Sequence, residues 1–128
     1  MSGVRWLVDG NNVFGSRPDG WWNDRPAAMA RFTQRVAEWC RTHTDDVTIV
    51  FDQPVPDSVL ELAGGNLRVV AATRTGRNAA DDTIAELAAA AGASPELTVV
   101  TSDKGLRLRL PTGVVVMGVG EFRALVRY

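Results

Sequence analysis

Short apolar runs alternate with helical patterns along the whole chain. Residues 4–8, 47–51, 67–71, 97–101 and 114–117 are near-continuous apolar stretches of strand length. Between them the spacing changes. Pro26 suits the first turn of a helix, and Met29, Phe32, Val36 and Cys40 then recur at helical intervals with Arg31, Arg35 and Arg41 off that stripe. Residues 57–63 read as a short helix stopped by Gly64 and Gly65. Asn78 stands where a helix cap belongs, and Ile84, Leu87, Ala88 and Ala91 form an inward stripe after it. Residues 103–110 predict a short helix ended by Pro111, and residues 121–127 a last helical segment. The stretch from Gly10 to Arg25, rich in Gly, Asn and Pro, reads as a loop. The sequence contains no repeat, linker or low-complexity tract.

Apolar strands separated by helices argue for a parallel sheet covered on both faces. Right-handed crossovers then bring the C-terminal ends of all strands to one edge, where open α/β sheets bind ligands. Acids collect at that edge. Asp9, Asp52 and Asp103 lie at or just beyond strand ends, and Asp81 and Asp82 open the helix after the third strand. Singly, each has an ordinary role available. Asp81 follows Asn78 at capping-pair spacing, Asp82 complements a helix dipole, Asp103 caps its helix, and Asp9 and Asp52 suit turns. Together they form a set with no counterpart at the opposite edge. Such carboxylates repel one another unless a hard divalent cation sits among them, and Mg²⁺ or Mn²⁺ also binds phosphate oxygens. The chemistry expected of such a site is activation of water by the metal and stabilisation of a phosphodiester transition state. Asp9, Asp81 and Asp103 are the preferred catalytic and metal-binding residues. Asp82 is a further metal candidate, and Asp52 and Ser102 are second choices. Asn12, close to Asp9, is placed to orient a water or a phosphate.

The 128 residues suffice for one domain with a real core, at 45% hydrophobic content. Cys40 and His43 are the only residues of their kinds. That argues against disulfides, Cys/His zinc sites and Ser-His triads. The net charge of −1 does not mark a general polyanion binder. Neither a membrane span nor a secretory leader is legible, so a cytoplasmic location is expected.

Several residues near the acidic edge suit a nucleic-acid substrate. Trp21 and Trp22 offer stacking platforms for single-stranded bases, or a lid over the first helix. Arg74 and Arg77 precede the acidic helix and are placed to hold phosphates. Lys104 and Arg107 extend that track beyond Asp103. Trp39 and Cys40 read as core, and His43 as a helix-end surface residue.

The segments Val8-Asp9-Gly10-Asn11-Asn12, Val50-Phe51-Asp52, Ala80-Asp81-Asp82 with Ile84, and Val100-Thr101-Ser102-Asp103 together resemble the NYN domain family of PIN-like ribonucleases, in its YacP-like form. Each motif is short, and the set in this order carries the resemblance over nearly the whole chain. It implies a single NYN/PIN-like domain over residues 1–128. The fold implied is a three-layer α/β/α sandwich with a central, mostly parallel sheet ordered 3-2-1-4-5. It also implies a Mg²⁺- or Mn²⁺-dependent nuclease site, with Asp9, Asp81 (Asp82 beside it) and Asp103 in the family's acidic positions. The loop of residues 15–22 departs from the general pattern and leaves the substrate open.

The expected activity is hydrolysis of single-stranded RNA by metal-activated water, with a homodimer or a protein partner as a further candidate association. Two alternatives use the same fold: a metal-dependent nucleotide phosphohydrolase, whose Trp pair would clamp a base, and a non-catalytic binding module. A phospho-receiver domain fits poorly. It wants an acidic pair at the first strand end and a lysine after the last strand, whereas Lys104 follows the fourth.

Overall fold

The structure, a computed structural model, describes residues 4–76, 78–91 and 96–128. Strands β1 (Arg5–Asp9), β2 (Asp46–Phe51), β3 (Leu67–Ala71), β4 (Leu97–Val100) and β5 (Val115–Met117) form one all-parallel sheet in the order 3-2-1-4-5. Helices α1 (Gly10–Gly15), α2 (Arg25–Arg41), α3 (Asp57–Leu60), α4 (Ala79–Ala91), α5 (Lys104–Arg109) and α6 (Val119–Val126) surround it, with a 3-10 turn at Trp21–Asn23. Among the described residues no helix is long and apolar enough to cross a membrane.

The pleat sorts the core into two layers. Successive side chains of a strand point to opposite faces. Trp6, Val8, Val47, Ile49 and Phe51 pack with Val13, Phe14, Phe32, Val36, Val59 and Phe122 from α1, α2, α3 and α6. Leu7, Val50, Leu97 and Val99 pack on the other side with Ala80, Ile84 and Ala88 of α4 and Leu106 of α5. The result is the expected three-layer sandwich. The same alternation aims what comes next. Asp9 continues the series of Leu7, Asp52 that of Val50, and Thr101 that of Val99, so all three lean toward the α4 side.

The segment read as a loop after β1 begins instead as helix α1, starting directly at Gly10. Gly and Asn are weak helix formers, but tertiary contacts override that propensity here. A Cβ on Gly10 would lie 2.5 Å from Cε1 of Phe51 and 2.9 Å from Cγ2 of Ile49. Only glycine lets α1 start this close to β2. Gly10→Ala should therefore destabilise the protein by about 1–3 kcal/mol through overpacking, seen as a lower midpoint in urea denaturation. An unchanged midpoint would show that Phe51 has room to move.

Trp39 and Cys40 are buried, as their spacing suggests, and His43 is exposed with its ring stacked on Trp39 at 3.8 Å between centroids.

A candidate acidic site at the C-terminal edge of the sheet

Strand order reverses between β1 and β4, and the concavity there is lined by Asp9, Asn11, Asn12, Asp52, Asn78, Ala80, Asp81 and Asp103. Four carboxylates from four separate segments thus face one open hollow of about 220 Å³. The three preferred acids are brought together, and the second choice Asp52 joins them.

Each acid is held by its local structure. Asp9 is buried at the end of β1 and occupies the N-cap position of α1. The Thr101 hydroxyl donates to its Oδ2 at 3.0 Å. The backbone N–H of Asp103 donates in turn to Thr101 Oγ1 at 3.1 Å, which ties the first acid to the last. Asp103 caps α5, its Oδ1 accepting from the Leu106 N–H at 2.9 Å. Asp52 Oδ1 accepts from the Ala80 N–H at 2.9 Å, so a residue after β2 caps the helix that carries Asp81. The sequence pattern assigns that cap to Asn78, which adopts a left-handed backbone with φ of 64°.

Two asparagines close the arrangement. Asn11 Oδ1 accepts from the Asp52 N–H at 2.7 Å, and Asn12 Oδ1 accepts from the Ser102 N–H at 2.9 Å. Ser102 Oγ accepts from the Val119 N–H at 3.0 Å and so binds the start of α6. Asn12 and Ser102 therefore act on the site's frame. Asn11 and Thr101 were not singled out by sequence reasoning. The alternation of strand side chains was the signal available for Thr101. No comparable signal marked Asn11 above Asn12.

The electrostatics reflect the crowding. Burial pushes the Asp9 carboxyl up to about 7; the Thr101 hydrogen bond works against this and the charge of Asp81 adds to it. Asp81 is also raised, first by burial and then by the charges of Asp103 and Asp52.

Other candidates lie elsewhere. Asp82 does not line the hollow. Its carboxylate pairs with Arg109 at 2.8 Å and Arg74 at 3.8 Å, and Arg74 also reaches Glu86 at 3.0 Å. Lys104 is exposed on α5. Arg77 falls outside the described residues. The Trp pair divides. Trp21 is half-buried, with its ring 5.8 Å from that of Phe14, while Trp22 is 59% exposed and packs edge-on against Trp21. Both stand by the C-terminal end of α1, and neither lines the hollow at its N-terminal end.

The donor set is composed of hard oxygens, as Mg²⁺ or Mn²⁺ require. Among the described residues no three acids are gathered tightly enough to form a finished cage. A magnesium ion bound there would need waters and substrate phosphates to complete its shell. Asp9, Asp81 and Asp103 are the residues that would hold such an ion.

The sheet order, the three layers and the acids at the switch point define an α/β domain of PIN-like topology. Neither a family model nor a curated protein matches the chain. Among solved structures it is similar to Rae1 (YacP) from Bacillus subtilis, at 26% identity and a TM-score of 0.74 over 99% of this chain and 74% of that one. The likeness fits a YacP-like fold.

Proposed function

We propose that the chain is a Mg²⁺- or Mn²⁺-dependent ribonuclease that hydrolyses phosphodiester bonds of single-stranded RNA. One observation carries the reading: Asp9, Asp52, Asp81 and Asp103 converge from four segments on one open hollow, with Asp9 shifted to about 7. The likeness to YacP agrees with the NYN, YacP-like resemblance of the sequence motifs.

A divalent cation would supply charge neutralisation and a more acidic water nucleophile. The chain's own residues do the rest. Asp9, Asp81 and Asp103 provide the negative charge that holds the cation. Asp52 stays committed to the α4 cap and fixes the distance across the hollow. Thr101 orients Asp9, and release of the Asp9 proton near neutral pH is linked to cation binding. Arg74 and Arg109, paired with Asp82 at the rim, are placed to meet phosphates. Trp22 is the exposed surface available for base stacking.

The open hollow favours a polymer over a free nucleotide. A phosphohydrolase would need a base clamp, and the Trp pair does not line the site. The test incubates purified protein and Mn²⁺ with labelled single-stranded RNA and, separately, with nucleoside triphosphates. RNA cleavage without triphosphate turnover is expected. Triphosphate turnover with intact RNA would transfer the site to nucleotide hydrolysis, and turnover of neither would leave a binding module.

A further inference from the structure

The α4-side face of the sheet is left partly uncovered at the pole opposite the acids. Helix α4 lies over β1 and β2, and the edge strand β3 keeps Arg68 exposed and Val70 half-buried on that side. A cavity of about 420 Å³ opens there, with Arg5, Asp46, Thr48, Arg68, Val70 and Leu87 on its lining. It shares no lining residue with the acidic hollow. Arg5 opens β1 and Asp9 closes it, roughly 13 Å further on at 3.3 Å per residue. Strand alternation explains the gathering. Arg5 continues the series of Leu7, Asp46 and Thr48 that of Val50, and Arg68 that of Val70. The parallel register then sets Arg5 beside Asp46, and Arg68 beside Thr48.

Two kinds of surface meet in this cavity. The first is apolar. The sequence pattern places Leu87 inward with Ile84 and Ala88, yet those two are buried and Leu87 is 39% exposed. It faces the cavity beside Val70 and stays outside the packed core. The second surface is cationic. Among the described residues neither Arg5 nor Arg68 has a carboxylate at ion-pair distance. The Nε of Arg5 is shut off from solvent and has no hydrogen-bond partner. A buried donor left in that condition is costly, and an acceptor entering the cavity would relieve it. Asp46 is the single acid among the described lining residues, and it forms no ion pair with Arg5, its neighbour in register. Two cations therefore stand against one anion, beside an apolar wall.

We propose that this cavity binds a small organic anion with an apolar body. Arg5 and Arg68 hold its anionic group, and Val70 and Leu87 take its body. The volume falls within the range of small-molecule sites, which pair apolar walls with a few placed polar groups. Arginine's planar fork suits carboxylate and phosphate oxygens alike. The Thr48 hydroxyl, on the strand between those of the two arginines, offers a further donor. The site is independent of the ribonuclease reading and holds whether or not RNA is cleaved.

The probe is anilinonaphthalene sulfonate, an anion on an apolar ring system, titrated by fluorescence into the folded protein. Phenylnaphthylamine, the same rings without the sulfonate, is titrated beside it. The sulfonate should bind saturably at one site, and the neutral amine at least about tenfold more weakly. Arg68→Gln and Arg5→Met should each weaken the sulfonate roughly tenfold, the loss of one charge-assisted contact. The melting temperature should hold in Arg68→Gln, because the side chain is exposed. It should hold or rise in Arg5→Met, which keeps the apolar stem and removes the unpaired donor. Those readings separate lost affinity from lost folding. Equal affinity for the two probes, or parent affinity in both variants, would overturn the anion site and leave a bare apolar cleft. Fluorescence that never saturates and grows as the protein loosens would place the dye on exposed core, and would overturn it too. Self-association of the parent on sedimentation, lost in Arg68→Gln and without a saturable dye site, would give the cleft to a second copy of the chain. RNA cleavage enters none of these outcomes, so failure here leaves the nuclease reading where it stands.

Discussion

Asp81→Asn should lower RNA cleavage by roughly a hundredfold or more, with the protein still folded. The side chain lies on the first turn of α4, faces the hollow and is raised by burial and by the charges of Asp103 and Asp52. Removing its charge relieves repulsion in the free protein and, on the metal-dependent reading, would deprive the cation of a ligand. Stability should therefore hold or improve while activity collapses. Asp82→Ala is the control one residue along. It frees Arg109 and loosens Arg74, so it should change RNA binding more than turnover at saturating RNA. The measurement is single-turnover cleavage in Mn²⁺ with melting temperatures alongside. Near-parent rates for Asp81→Asn, or equal losses of turnover in both variants, would remove Asp81 from its role.

Asp9→Asn should make the metal-free protein more stable at pH 8, even as it abolishes cleavage. The parent's Asp9 carboxyl titrates at about 7 when folded, against 3.8 as the ordinary value. Below the lower value both folded and unfolded chains hold the proton. Between the two, only the folded chain does. Stability conferred by the bound proton is thus complete in acid and is lost as pH rises through about 7. The span of about three units corresponds to about 4 kcal/mol at most. Asparagine keeps an acceptor for the Thr101 hydroxyl and carries no charge to bury. The variant's melting temperature should then vary much less between pH 5 and pH 8 than the parent's. Mn²⁺ at pH 8 should raise the parent's melting temperature and leave that of the variant nearly unchanged. A variant less stable than the parent at pH 8, or with the same pH slope, would show that Asp9 is not a charge held at a cost.

Much of this frame is legible in the sequence. The apolar runs at residues 47–51 and 97–101 read as buried strands, and parallel connection brings Asp52 and Asp103 to one edge. The failures have specific causes. Gly10-Asn11-Asn12 carries turn chemistry, yet helix α1 starts there because Asn11 and Asn12 find partners on Asp52 and Ser102, about forty and ninety residues away. Local propensity does not contain such contacts. Asp81 and Asp82 are adjacent on a helix and so point about 100° apart. Which one faces the hollow is decided by Arg109, from another helix, taking hold of Asp82. Trp21 and Trp22 were indistinguishable by type, and packing on Phe14 draws in only the first.

The two side-chain amides after Asp9 have a mechanical consequence. Asn11 grips the chain leaving β2, and its neighbour Asn12 grips the chain leaving β4. One dipeptide therefore acts as a keystone across three strand ends. A displacement that parts any two carboxylates must strain a bond in that arch, and Asp52, tied to Ala80, would pull on α4 as it moved. On the ribonuclease reading, such a mouth would act as a rigid die, and discrimination between RNAs would fall to what the strand meets outside it.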